Sequence, residues 1–111
     1  MRDEVKKYLL DIIESIDAID TYIGDKRVFK KFQADRFLRK AIERELEIIG
    51  EAINKSSSLD PSLKIKHKKN IVGMRNIIAH AYDSVDEVMI WSIVINHLPD
   101  LKREIKIILK K

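Results

Sequence analysis

Leu38-Arg39-Lys40-Ala41-Ile42-Glu43-Arg44-Glu45-Leu46-Glu47-Ile48-Ile49-Gly50-Glu51-Ala52-Ile53-Asn54 is the stretch whose reading decides the fold. Leu38, Ile42, Leu46, Ile49 and Ile53 recur at spacings of four and three, which puts them on one stripe of a helix with Lys, Arg and Glu on the other faces. A stripe this narrow is stable only when other helices cover it, so the segment predicts a bundle. The helix is expected to begin somewhere in 26–34 and to end near Asn54. Gly50 lies inside it at a cost of about 1 kcal/mol relative to Ala. Either that cost is simply tolerated, or the missing side chain lets a neighbouring backbone come close.

Three further helices read out in the same way. Val5, Leu9, Ile12, Ile16, Ile19 and Ile23 form the stripe of a first helix that stops near Gly24. Lys55-Ser56-Ser57-Ser58-Leu59-Asp60-Pro61-Ser62 has no periodicity and reads as the main loop, its Asp-Pro pair suited to capping a single turn. A basic run, Lys64-Ile65-Lys66-His67-Lys68-Lys69, leads into a third helix over roughly 67–82. Ser84 with Glu87 has capping-box spacing and predicts a fourth helix starting at Val85. Its buried stripe should be Val88, Trp91, Ile95, Leu98, Leu101, Ile105 and Ile108 or Leu109, with a bend or break at Pro99, which has no backbone N–H to donate. The expected architecture is an all-α antiparallel four-helix bundle of one domain over 1–111. Its stripes are generous enough for part of them to be covered by a second copy in a homodimer.

Bulk composition narrows the function classes. Three Gly and two Pro argue against a turn-rich β protein, and zero cysteines remove disulfides, thiolate metal sites and cysteine nucleophiles together. His67, His80 and His97 show no metal-ligand spacing, so no metal is expected, and no cofactor either. Lys and Arg exceed Asp and Glu by 22 to 18, a net charge of +4 that is compatible with nucleic acid without specifying it. The charged start and the lack of an apolar run of membrane-spanning length predict a cytoplasmic protein.

Polar chemistry concentrates in Arg75-Asn76-Ile77-Ile78-Ala79-His80-Ala81-Tyr82. At about 100° per residue, Ile71, Met74, Ile77, Ile78 and Ala81 share one arc while Gly73, Asn76 and His80 share the opposite one. Asn76 and His80 are one turn apart, so the amide oxygen is placed to accept from the imidazole; Arg75 and Tyr82 form a second aligned pair. His80 is expected to be the histidine with buried apolar neighbours, His67 to be exposed, and His97 to be a packing residue. Arg75 and His80 lie about 140° apart around the helix. They meet on one ligand only if the arginine wraps round, the helix breaks, or a second protomer supplies one of them. An arginine fork and a neutral histidine suit metal-free cleavage of RNA, in which one group takes the 2′-hydroxyl proton and another stabilises the phosphate. Gly73 would leave room for a substrate backbone. A purely local hydrogen-bonded network is the alternative reading.

Arg75, His80 and Tyr82 fit the pattern R-x4-H-x-Y. Glu47-Ile48-Ile49-Gly50-Glu51-Ala52, Ile71-Val72-Gly73-Met74-Arg75-Asn76, Val85-Asp86 with Trp91, and Leu98-Pro99-Asp100-Leu101 accompany it in order. Over essentially its whole length the chain resembles the HEPN superfamily, specifically the HepT-like toxins. That resemblance implies a helical bundle that dimerises with both motifs facing a common cleft. It also implies a metal-independent ribonuclease acting on messenger or transfer RNA, with Arg75 and His80 catalytic and Asn76 their polar companion. A further implied partner is an MNT (minimal nucleotidyltransferase) antitoxin that adenylylates the motif tyrosine, Tyr82. The chain departs from the family where an Ile-Pro-Trp-like stretch usually precedes the motif helix and Lys64 to Lys69 stand instead; those lysines would add phosphate affinity. The competing function is a non-catalytic, nucleotide-binding regulatory subunit of such a nucleotidyltransferase.

Overall fold

The computed structural model describes residues 1–24, 27–80 and 85–110. Among these residues six α-helices follow one another: α1 (Asp3–Ile23), α2 (Phe29–Ala34), α3 (Arg36–Leu59), α4 (Lys68–His80), α5 (Glu87–Ser92) and α6 (Leu98–Lys110), with a π turn (Ile93–His97) joining the last two. No strand occurs among the described residues. α1 packs on α3 and α6, and α3 also packs on α2 and α4. Arg2 Nη1 reaches the Leu59 carbonyl (3.4 Å) while Tyr22 donates to Glu45 (2.8 Å), so α1 and α3 run antiparallel. The body measures 42 × 30 × 19 Å, and the shortest dimension is two helix diameters, as a two-layer bundle requires.

The core is the expected stripes. Val5, Leu9, Ile12, Ile16 and Ile19 of α1 meet Ile42, Leu46, Ile49 and Ile53 of α3, all at most 2% exposed. α1 ends where Gly24 takes φ 72° and its N–H returns to the Asp20 carbonyl at 2.9 Å, a left-handed φ that suits glycine.

Three expectations about boundaries need correction. The second helix is two: Asp35, extended at φ −104°, ends α2 and its carboxylate accepts from the Leu38 N–H at 3.0 Å to cap α3. The separate α2 brings Phe29 and Phe32 against Trp91, with ring centroids 6.1 and 5.1 Å away. The serine run is helix and not loop, because Ser56 is buried and returns its hydroxyl to the Ile53 carbonyl at 3.1 Å. α3 stops instead at Asp60, whose place before Pro61 disfavours helical backbone. There the Asp60 carboxylate accepts from both the N–H and the hydroxyl of Ser62. Asp86 caps α5 by accepting from the N–H groups of Val88 and Met89, so the helix begins at Glu87 instead of Val85. Ser84 itself lies outside the described residues.

Pro99 acts as expected in interrupting the helix, but through a widened turn. The Leu98 N–H bonds to the Ile93 carbonyl, one residue further back than in an α-helix. That is a low-strain way past a proline ring that would otherwise press on a carbonyl four residues earlier. One extra residue rotates everything upstream by about 100°. The expected stripe of Val88, Trp91 and Ile95 is therefore displaced: Ile90, Ile93 and Val94 are buried, and Val88 is 62% exposed.

Gly50 is where α3 and α4 touch. A Cβ built there would overlap the Arg75 Cβ, and would lie 2.8 Å from Arg75 Cγ and 3.5 Å from the Ile71 carbonyl oxygen. Of the two readings of Gly50, close approach is the one the structure gives. Gly50→Ala is expected to destabilise the protein by about 1–3 kcal/mol through overpacking, in spite of alanine's better helix propensity. Urea or thermal denaturation measures it, and an unchanged or raised midpoint would contradict so tight a contact.

Candidate functional site

Arg75 leaves α4 on the side facing α3. Its first side-chain carbons fill the space that Gly50 leaves open, which fixes the direction of the guanidinium. Nη1 donates to the Asn76 Oδ1 at 3.0 Å and Nη2 lies 3.7 Å from the Glu51 carboxylate. Glu51 is half exposed, so this ion pair is loose and adds little stability. Nε is buried with no acceptor among the described residues. Packing against α3, more than saturated hydrogen bonding, therefore holds the arginine, and its terminal nitrogens reach the surface beside two exposed side chains.

His80 is the last described residue of α4 and is exposed, as is Asn76. The expectation that His80 sits among buried apolar neighbours is corrected: Ile71, Met74 and Ile78 line the buried face and His80 projects from the other. The Asn76 oxygen, assigned by spacing to His80, accepts from Arg75 instead, since a guanidinium is the stronger, charged donor. Tyr82, and with it the expected pairing to Arg75, lies outside the described residues. Within one chain, then, α4 turns Arg75 toward α3 and His80 toward solvent.

A second polar cluster escaped sequence reasoning. His67, just before α4, and His97, the last residue of the π turn, stack with ring centroids 4.2 Å apart and planes 15° from parallel. His67 Nε2 lies 3.1 Å from an Asp100 carboxylate oxygen, and Arg103 bonds the other oxygen. His67 is thus 16% exposed and not the surface residue its basic surroundings suggested. His97 is partly buried, as expected, with its Nδ1 enclosed and unpartnered among the described residues. Burial holds the His97 pKa below its ordinary 6.5, aided by the charge of neighbouring His67 and opposed by Asp100. Asp100 is held below its ordinary 3.8, first by the hydrogen bond from His67, with Arg103 and Lys66 contributing. The only advance signal was that His97 and Asp100 flank Pro99. Their meeting with His67 depends on how the connector before α4 folds back, where the Lys66 N–H bonds the Glu104 carboxylate at 3.1 Å.

Among the described residues no three of His, Cys, Asp and Glu group closely enough to hold a metal ion, and no helix is long and apolar enough to cross a membrane.

Residues 12–108 match the family model described as Ribonuclease HepT-like. A Methanocaldococcus jannaschii protein named "Putative RNase MJ1380" is 34% identical over 95% of this chain and 96% of its own length. From the same organism, "Gamma-glutamylcyclotransferase and putative RNase MJ0434" is 40% identical over 95% of this chain, which corresponds to 47% of that longer protein. "Probable ribonuclease HepT" of Thermococcus cleftensis is 34% identical over 92% of this chain and 93% of its own length. No solved structure matches.

The histidine stack generates a pH dependence. A histidine whose folded pKa is depressed leaves the unfolded chain binding the proton more tightly, so its contribution is complete above 6.5 and is lost as pH falls from 6.5 through the folded pKa. Denaturation midpoints are expected to fall over that window, and His97→Phe, which keeps the stacked ring, to flatten the fall. Identical pH profiles for the two proteins would show that His97 is not the group responsible.

Proposed function

This chain belongs to the Ribonuclease HepT-like family, and from that premise we propose that it is the toxin of a toxin–antitoxin pair, a metal-independent endoribonuclease that works as a homodimer on messenger or transfer RNA. The observation that carries the reading is the disposition of α4. Arg75 is oriented by its contact with Gly50 and by Asn76, and His80 stands exposed at the helix end. An arginine bound only loosely to a half-exposed Glu51 loses little when a phosphate displaces that carboxylate, and a guanidinium fork matches phosphate oxygens in two places. His80 is the general base for the 2′-hydroxyl, which attacks the adjacent phosphorus to form a 2′,3′-cyclic phosphate; the P–O5′ bond breaks and the departing 5′-oxygen takes a proton from His80 of the partner subunit, acting as general acid. Because Arg75 and His80 leave α4 in different directions, a complete site is assembled from two protomers. Arg75 of one chain stabilises the phosphate at the His80 of the other.

Silencing falls to a minimal nucleotidyltransferase antitoxin. The Tyr82 phenol oxygen attacks the α-phosphate of ATP, pyrophosphate leaves, and adenylate becomes ester-linked two residues beyond His80. The added bulk and negative charge repel the RNA phosphate.

Incubation of the unmodified protein with total RNA in EDTA, followed by mapping of the cut ends, tests the catalytic part. Cleavage is expected, and His80→Ala is expected to slow it by about a hundredfold or more. Equal cleavage by parent and His80→Ala would remove His80 from catalysis; RNA or nucleotide bound without any cleavage would favour the regulatory-subunit reading. For the modification, intact mass after incubation with the antitoxin and ATP should rise by adenylate for the parent and stay unchanged for Tyr82→Phe.

A further inference from the structure

Between α4 and the α5–π segment runs a groove of about 520 Å³. Met74 and Ile93 form its floor, buried to 2% and 4% exposure, and Met89 forms a wall that is 49% exposed. Lys69 and Asn70 stand at one rim, both exposed, with Ser92 and His97 opposite. Ser92 Oγ accepts from Asn96 at 3.3 Å, which leaves its own proton to donate. Among the described residues no carboxylate lines the groove. At Gly73, in the middle, a Cβ would meet nothing within 4 Å, so the space is open because this residue has no side chain.

The groove is aligned with His80 and not with Arg75. Lys69, Gly73, Ile77 and His80 fall within an arc of about 80° on α4, and Lys69 precedes His80 by about 16 Å along the axis. An apolar floor that includes a polarisable methionine, with hydrogen-bonding groups on its rim and a lysine at one end, fits a planar heterocycle carrying a phosphate. Neutral His97 at the opposite rim adds a polar edge without charge.

We propose that this groove is a specificity subsite that takes one unpaired nucleotide of the RNA strand, its base on Met74 and Ile93 and its phosphate on Lys69, so that the linkage downstream reaches His80. The proposal rests on the ribonuclease reading and adds to it a requirement for unpaired RNA. A base within a duplex presents only an edge and cannot lie on such a floor.

Gly73→Leu is the decisive variant, because its Cβ would meet nothing within 4 Å, the rest of the side chain takes up groove space, and a good helix former replaces a mid-helix glycine. In a His80→Ala background, fluorescence anisotropy with short labelled single-stranded oligoribonucleotides should show binding weakened about tenfold by Gly73→Leu. The melting temperature should be unchanged or higher, and the mass in sedimentation the same. The same sequence as a duplex should compete poorly. Lys69→Ala should weaken binding to all sequences and lower the salt slope by about one. Unaltered affinity in Gly73→Leu, or equal competition by duplex, would overturn the subsite. So would a change of mass that accompanies the loss, since the groove would then be the seat of a second copy. Cleavage of total RNA separates the two claims: if the parent cleaves and Gly73→Leu cleaves equally, only the subsite falls; if the parent neither binds nor cleaves RNA, both fall.

Discussion

The contact between Gly50 and Arg75 sets the spacing of α3 and α4, and much else follows from it. With any side chain at position 50 the two helices would have to separate or the arginine would have to turn elsewhere. As it is, the arginine stem packs flat on α3 backbone. The same contact closes the core between Ile49, Ile53, Ile71 and Met74, all at most 2% exposed, and steers a guanidinium onto Asn76 and Glu51. Packing and site geometry are here a single constraint. A glycine that costs helix propensity is retained where it lets a cation be held by its carbon atoms, with its terminal nitrogens left for other work.

α4 therefore has three distinct sides. One is core, one carries Arg75 toward α3, and one carries Lys69 and Gly73 along the open groove, with His80 exposed on the same arc. Three neighbours account for this division: α3 through Gly50, the π turn through the His67 and His97 stack, and solvent at the helix end. The stack ties the entry of α4 to the turn opposite, and Asp100 with Arg103 anchors that tie on α6. The groove is in this way fastened to the bundle at the start of α4 before any ligand arrives.

What the sequence discloses is governed by the range over which each interaction acts. The stripes of α1 and α3 are local periodicities, and their buried members were legible, whereas close packing at Gly50 was one of two readings that the sequence left open. The break at Asp35 was available in principle, since aspartate before a helical run is an N-cap, but it was hidden by apolar periodicity on both sides. The serines were misread because loop composition outweighed the burial of Ser56, a fact of tertiary packing. The displaced stripe of α5 came from an extra residue that no pattern count reveals. For the site, the residue types and their angular separation on α4 could be read directly, but the Asn76 partner could not, because two donors compete for it and geometry decides. His67 and His97 lie thirty residues apart in sequence and meet only through the fold.

The π turn also bears on how chains of this kind can change in length. A one-residue deletion within Ile93 to His97 would not simply shorten a helix; it would act as a screw, turning α5 by about 100° and drawing it along its axis by about 1.5 Å. Trp91 would leave its place beside Phe29 and Phe32, and another face of α5 would enter the core. Length at this point is therefore tied to the identity of the aromatic residues on α2, so that gaps in one segment and substitutions in the other should be inherited together.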